Sequence, residues 1–278
     1  MVTSSHPAPR PTAPVAGGVL AGARPGIDAI AEAEGTASKV FVDIAGVPML
    51  QRVLDVMAAV TDAGPIHLCG PERVLLESAP WLAEREAQGA VSWQPPQPSP
   101  ARGAGALVKH AFGFEPQPAA LFLTTGDHPL LTIGTARRFV TDALSSGAEV
   151  VVGLARHAQV QAAFPGSRRT ALRLADGPFC SCNLFLIRSA PGAAVLEFWQ
   201  RLEVDRKHPK RMAKAFGLGI VLRYLAGRLT SRVIMARLEA LTGVSCAAVI
   251  VDDPDAAVDV DSPEDLATVR ARWQVRAG

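Results

Sequence analysis

The stretch "ALFLTTGDHPLLT", Ala120 to Thr132, decides how the chain reads. The apolar run Leu121-Phe122-Leu123 has the length of a short buried strand, and Thr124, Thr125 and Gly126 lead it into a turn. Asp127 and His128 follow, and Pro129 prevents the strand from continuing. Further runs of this kind lie on both sides. "VAGGVL" (Val15 to Leu20), "GPIHLCG" (Gly64 to Gly70) and "AEVVVGLAR" (Ala148 to Arg156) all read as strands. Between them, apolar residues recur at helical spacing. "PMLQRVLDVMAAV" (Pro48 to Val60), "PERVLLESAPWLAERE" (Pro71 to Glu86, broken at Pro80), "ALVKHAF" and "TARRFVTDALSSG" read as helices. "QPPQPSPARGAG", Gln94 to Gly105, reads as a loop. Short buried strands alternating with helices predict an α/β fold with three layers and a mostly parallel central sheet. After the strand-like "FCSCNLFLIR" the pattern turns helical, so an inserted helical segment is expected at about 190–243. One domain is expected over 15–278, after a Pro-, Ser- and Thr-rich tail at 1–14 that has the composition of a disordered segment.

Composition narrows the function classes. With 49% hydrophobic and 19% charged residues the chain can fill a large core. A formal net charge of +2 gives no basic excess of the kind nucleic-acid binding needs. No run reaches the length of a membrane span, and the start of the chain has no apolar segment of the signal-peptide kind. The cysteines, Cys69, Cys180, Cys182 and Cys246, contain no C-x-x-C pair, which fits reduced thiols in a cytoplasmic protein.

In an open parallel sheet, ligands bind beyond the carboxyl ends of the strands, where Asp127 falls. There a carboxylate either caps its turn or holds a hard cation. A second acidic site lies in "AVDVDSPEDL", Ala257 to Leu266. Read as a strand, it puts Asp259 and Asp261 on one face, with Val258 and Val260 on the other. Ser262, Pro263 and Asp265 then start a helix as N-cap, first-turn proline and capping acid. One carboxylate from each of two strand ends suits Mg²⁺, whose remaining ligands come from phosphates and water. The small residues of "LAGARPG" let backbone N–H groups approach a phosphate, and Arg24 adds a fork of donors. Lys39 precedes an apolar run in a chain with only five lysines. It is either a solvated edge charge or a phosphate ligand.

Taken in order, "VLAGARPG…SKVFVDIAGVPMLQRVLDVM", "LFLTTGDHPLLT" and "DVDSPEDL" resemble the MobA-like nucleotidyltransferases. These include molybdenum-cofactor guanylyl- and cytidylyltransferases and sugar-phosphate nucleotidyltransferases of Rossmann-like GT-A fold. The resemblance covers about 15–155 and 245–275. It implies that Leu20, Ala21, Gly22, Arg24 and Lys39 hold the triphosphate, with Arg24, Lys39 and Asp127 carrying the catalysis. It further implies that Asp127 and Asp261 hold Mg²⁺, with Asp259 as the rival second ligand, and that Ser99 contacts the base. The loop departs from the commoner "LAGGxGxRM": Ala23 replaces a glycine, and a long acidic link precedes Lys39.

The implied reaction transfers a nucleotidyl group from an NTP, CTP or GTP, to a phosphorylated acceptor, a sugar or lipid phosphate, and releases pyrophosphate. Arg168, Arg169 and Asn183, together with Lys207 and Arg211 in the basic segment Arg201 to Leu229, are the expected acceptor ligands. That segment runs into an apolar helix. It suits an anionic small molecule, or a lipid phosphate met at the inner face of the membrane. Two other readings stand beside this one. The first is a glycosyltransferase of the same fold that uses "DVD" as its metal clamp, and the second is a nucleotide-binding domain without catalysis.

Overall fold

In the computed structural model, which describes residues 14–22, 28–113, 115–166, 169–205, 213 and 215–277, the run before Asp127 is a central strand. The strands are β1 Val15–Leu20, β2 Asp43–Ile44, β3 Val47–Pro48, β4 Ile66–Cys69, β5 Val91–Gln94, β6 Ala120–Thr125, β7 Val150–Arg156, β8 Leu172–Leu174, β9 Gly177–Ile187 and β10 Cys246–Ile250. The helices are α1 Ala29–Ala33, α2 Met49–Val60, α3 Pro80–Ala87, α4 Pro100–Ala111, α5 Ile133–Ser145, α6 His157–Ala163, α7 Ala193–Asp205, α8 Leu218–Leu225, α9 Ser231–Thr242 and α10 Pro263–Ala277.

The main sheet runs β10-β7-β9-β6-β1-β4-β5, with β8 hairpinned onto β9 and β2 pairing β3 apart from it. All neighbours along that path are parallel except β9, which runs antiparallel between β6 and β7. Strand β6 is apolar from Ala120 to Leu123 because both of its faces are covered there. Ala120 and Phe122 pack into one core, where the Phe122 ring lies 5.8 Å from that of Phe139 on α5. Leu121 and Leu123 pack into another with Leu107 and Val108 of α4 and Leu196 of α7. Helices on both faces are the usual covering of parallel strands, and they give the three layers.

Several local expectations change. Strand β5 was not anticipated, because Gln94 reads as loop. Residues Arg73–Ser78 form a 3-10 helix, and the α-helix begins only at Pro80. Helix α4 starts at Pro100, six residues before the expected "ALVKHAF", because Ser99 caps it and Pro100 occupies its first turn. After Lys39 comes a 3-10 turn, Lys39–Phe41, and then the β2–β3 hairpin, in place of a longer strand. "AVDVD" is not a strand. Pro254–Ala257 is a 3-10 helix, and the extended residues after it join no ladder of the main sheet. The alternation is nonetheless real, with Val258 and Val260 buried, and one backbone bond, from Val260 N–H to the Asp127 carbonyl, ties the segment to the turn after β6.

Helix α10 is held beside this segment by a buried carboxylate. Asp255 accepts from Arg272 Nε at 3.1 and 3.0 Å and also pairs with Arg276. Such a charge is tolerated in an interior only with partners of this quality.

On β4, His67 is 8% exposed and packs edge-on against His110 of α4, with ring centroids 4.8 Å apart. Burial, and then the His110 charge, push it from the usual 6.5 down to about 4, so it is neutral in the folded chain. Unfolded, it takes a proton as pH falls below about 6.5, so stability drops from there toward about pH 4 and the loss then levels off. At about pH 5 it should cost on the order of 2 kcal/mol. Urea midpoints at pH 7 and 5 should show a loss in the parent that exceeds the loss in His67→Gln by about this amount, since His128, also buried and at about 4, contributes equally to both. Equal losses in both would remove His67 from the account.

Candidate active site

The carboxyl ends of β1, β4 and β6 lie level, because Leu20 is in register with both Cys69 and Thr125. The turns that leave them are tied together. Ala21 N–H donates to the Cys69 carbonyl and Gly126 N–H to the Leu20 carbonyl, each at 2.8 Å. Gly70, at φ +82°, passes so close that a Cβ there would lie 2.8 Å from the Gly22 backbone nitrogen. A Cβ on Gly126 would meet Leu50 at 3.0 Å and Ala21 at 3.1 Å. Glycine at these positions sets Ala21 and Gly22 beside Asp127. Arg24 lies outside the described residues.

From Asp28 onward the link to Lys39 is folded. Asp28 caps α1 by accepting from Ile30 N–H and Ala31 N–H at 3.1 and 3.2 Å. Glu34, just past the helix, accepts from Arg270 Nη1 of α10 at 2.8 Å. The acidic link of the sequence is thus a clamp that carries Lys39 toward the start of α10.

There Lys39 Nζ reaches three acceptors: Asp127 Oδ2 at 2.6 Å, the Val260 carbonyl at 2.9 Å and Asp261 Oδ1 at 3.1 Å. Lys39 is therefore no solvated edge charge, since its side chain is only 18% exposed. Burial works against the ammonium, yet Asp127 and then Asp261 outweigh it and hold Lys39 above the ordinary lysine value. Burial likewise opposes the Asp127 carboxylate, and Lys39 holds it below the ordinary aspartate value. Asp127 Oδ1 is buried and, among the described residues, meets no donor in good hydrogen-bond geometry, although the neighbouring Thr125 also helps hold the carboxylate low. An unused carboxylate oxygen beside a cation-filled gap between two aspartates is a feature that Mg²⁺ ligation would explain. Among the described residues no group of three His, Cys, Asp or Glu gathers, so phosphates would have to complete such a site.

Asp259 faces elsewhere. It pairs with Arg169, whose Nη2 also reaches Asp265 Oδ1 at 3.1 Å, and it accepts from Asn183 Nδ2 at 3.0 Å. Both its oxygens are thus occupied, so "DVD" forms no two-carboxylate clamp here, and Asp261 alone joins Asp127. Asn183 reaches Asp259 because β9 bulges against β7 between Val152 and Leu154, with Asn183 at φ +50°. Asn tolerates that left-handed conformation better than most residues, and such bulges re-aim side chains next to sites. Arg169 also borders a cavity of about 470 Å³ lined by His157, Ala171, Arg173, Leu174 and Pro178. Arg173 is exposed and makes no ion pair among the described residues. Neither His157 nor Arg173 carries a sequence signal, since only the β8–β9 hairpin brings them to Arg169. Arg168, Lys207 and Arg211 lie outside the described residues.

Two other residues have local structural roles. Ser99, expected at the base, is the α4 N-cap and accepts from Arg102 N–H at 3.4 Å. His128 is 1% exposed and lies 3.4 Å from Thr124 Oγ1, and burial keeps it neutral, at about 4. The four cysteines are unpaired.

Comparison with known proteins bears on the family and the fold. The family model described as the MobA-like NTP transferase domain matches residues 16–188. No curated protein matches the chain. A hypothetical transferase from Thermus thermophilus superposes with a TM-score of 0.72 at 29% identity, covering 91% of this chain and 99% of that one. Two more distant structures share the fold. CMP:2-keto-3-deoxy-manno-octonic acid synthetase complexed with CTP has a TM-score of 0.53 at 14% identity, covering 94% and 99% of the two chains. The 4-diphosphocytidyl-2C-methyl-D-erythritol synthase from Anaerococcus prevotii has a TM-score of 0.55 at 10% identity, covering 94% and 96%.

Proposed function

Because the chain belongs to the MobA-like NTP transferase family, we propose that it transfers a nucleotidyl group from an NTP to a phosphorylated acceptor and releases pyrophosphate. The observation that carries this reading is the Lys39 ammonium held between Asp127 and Asp261 beside the glycine turn. An acceptor phosphate is already largely ionised near pH 7, so its oxygen attacks the α-phosphorus without a general base. The bond from that phosphorus to the oxygen bridging the β-phosphate breaks as the new bond forms, and pyrophosphate carries the charge away. Catalysis is then positioning and charge neutralisation. Ala21 and Gly22 offer a small-residue approach to the phosphates, and Lys39 supplies positive charge there. Asp127 and Asp261 would hold Mg²⁺, which when bound neutralises phosphate charge. CTP is the first nucleotide to test, because both distant fold relatives are named for cytidine compounds, and GTP is the second.

The cavity beside Arg169 suits the acceptor, since Arg173 lines it and makes no ion pair among the described residues. Arg173→Glu should raise the acceptor's KM on the order of ten-fold and leave the NTP's KM within about two-fold, as for the loss of one charged contact. Equal shifts in both constants would place Arg173 outside the acceptor site. The reaction itself is tested by pyrophosphate release from each NTP with Mg²⁺ and a panel of sugar and lipid phosphates. Hydrolysis of nucleotide sugars instead would favour a glycosyltransferase, and tight nucleotide binding without turnover would favour a sensor.

A further inference from the structure

Helix α8, Leu218–Leu225, buries no residue. Leu218, Leu222 and Leu225 are 69%, 56% and 75% exposed, and Tyr224 is 47% exposed. Spaced at i, i+4 and i+7, the leucines form one outward stripe, while Ile220 and Val221 are half-buried. Gly217 starts the helix at φ +90°, and Arg237 Nε of α9 donates to the Phe216 carbonyl at 2.7 Å, which fixes the helix against its neighbour. Leucines of a core helix would be covered, and among the described residues nothing covers these.

Charge identifies what covers them. Arg223, Arg228 and Arg232 are exposed around the stripe, and from Arg206 to Leu238 the sequence contains no Asp or Glu. A second copy of the chain, meeting this face about a two-fold axis, would bring the same positive charge against itself. An anionic surface accepts both features, with leucines entering the boundary between headgroups and acyl chains and arginines meeting the phosphates. We propose that α8 docks the protein on an anionic phospholipid bilayer as a helix lying in its surface. No helix among the described residues is long and apolar enough to cross a membrane, so the contact is peripheral. It rests on other residues than the nucleotide site and holds whether or not the acceptor is a lipid.

The test is co-sedimentation of the full chain with vesicles of phosphatidylcholine alone or mixed with phosphatidylglycerol, at low and high salt. The protein should bind the mixed vesicles, bind neutral ones far more weakly, and be released by salt. Arg223→Gln with Arg228→Gln should lower the partition coefficient by about 30-fold, from roughly 1 kcal/mol for each basic residue at the surface. Leu222→Gln with Leu225→Gln should lower it by about ten-fold or more. Thermal unfolding and nucleotide binding serve as controls for folding, and the salt dependence of the unmodified protein needs no variant. Equal binding to neutral and anionic vesicles would overturn the proposal. So would the absence of binding, whether the chain is then a monomer or a dimer that Leu222→Gln disperses.

Discussion

Asp127→Asn should lower NTP turnover on the order of 10³-fold and abolish Mg²⁺-dependent NTP binding, while the chain stays folded. The amide fills the same space, and Lys39 keeps the Asp261 carboxylate and the Val260 carbonyl at 3.1 and 2.9 Å. What is lost is the negative charge at a carboxylate with a buried, unused oxygen. A cation held by Asp127 and phosphates then has only Asp261 left, and that side chain is 47% exposed and a weaker anchor. Removing a single electrostatic contact from a reacting phosphate site costs about 10² to 10³ in rate, and Asp127→Asn removes both the metal's charge and its position. Pyrophosphate release gives the rate, and calorimetric titration of NTP with and without Mg²⁺ gives the binding. Parental turnover in Asp127→Asn would remove the metal role, and the mechanism with it.

Lys39→Ala should show two effects of opposite sign. Turnover should fall on the order of 10²-fold, because one positive charge on the phosphates is gone. The free protein, however, should gain a response to Mg²⁺ that the parent lacks. Without the ammonium, Asp127 and Asp261 face each other with nothing between them, and two neighbouring carboxylates repel unless a cation intervenes. Mg²⁺ without nucleotide should therefore raise the unfolding temperature of Lys39→Ala by about 3 °C for each kcal/mol of binding, and that of the parent much less. Lys39→Arg should resemble the parent in the Mg²⁺ response, since it restores the charge. If Lys39→Ala turns over like the parent and ignores Mg²⁺, the lysine is only a structural tie between α10 and β6.

The alternation of buried strands and helices was readable from the sequence because periodicity reports burial locally. Leu121-Phe122-Leu123 has no polar face, and only a strand covered on both sides needs none. Position at the strand end was also readable, since Gly126 and Pro129 bracket Asp127 in a turn beyond the apolar run. The start of α10 was local as well, with Asp265 N–H donating to Ser262 Oγ at 3.1 Å as the capping pattern requires.

Tertiary structure decided the partners. Lys39 and Asp261 are 222 positions apart, and nothing in either segment tells an edge lysine from one that bridges two carboxylates. Asp259 and Asp261 look equivalent in "DVD", yet Arg169 and Asn183 occupy the first, so only the second faces Lys39. The sequence suggests that both carboxylates share a strand face. The fold separates them, because one backbone bond at Val260 ties the segment to the turn after β6 and the chain then enters α10. Arg173 and His157 became candidates only through the packing of the β8–β9 hairpin. Side-chain burial follows a period that neighbouring residues set. Ion pairing depends on which distant segments the sheet order brings together, and a single chain's local pattern does not encode that.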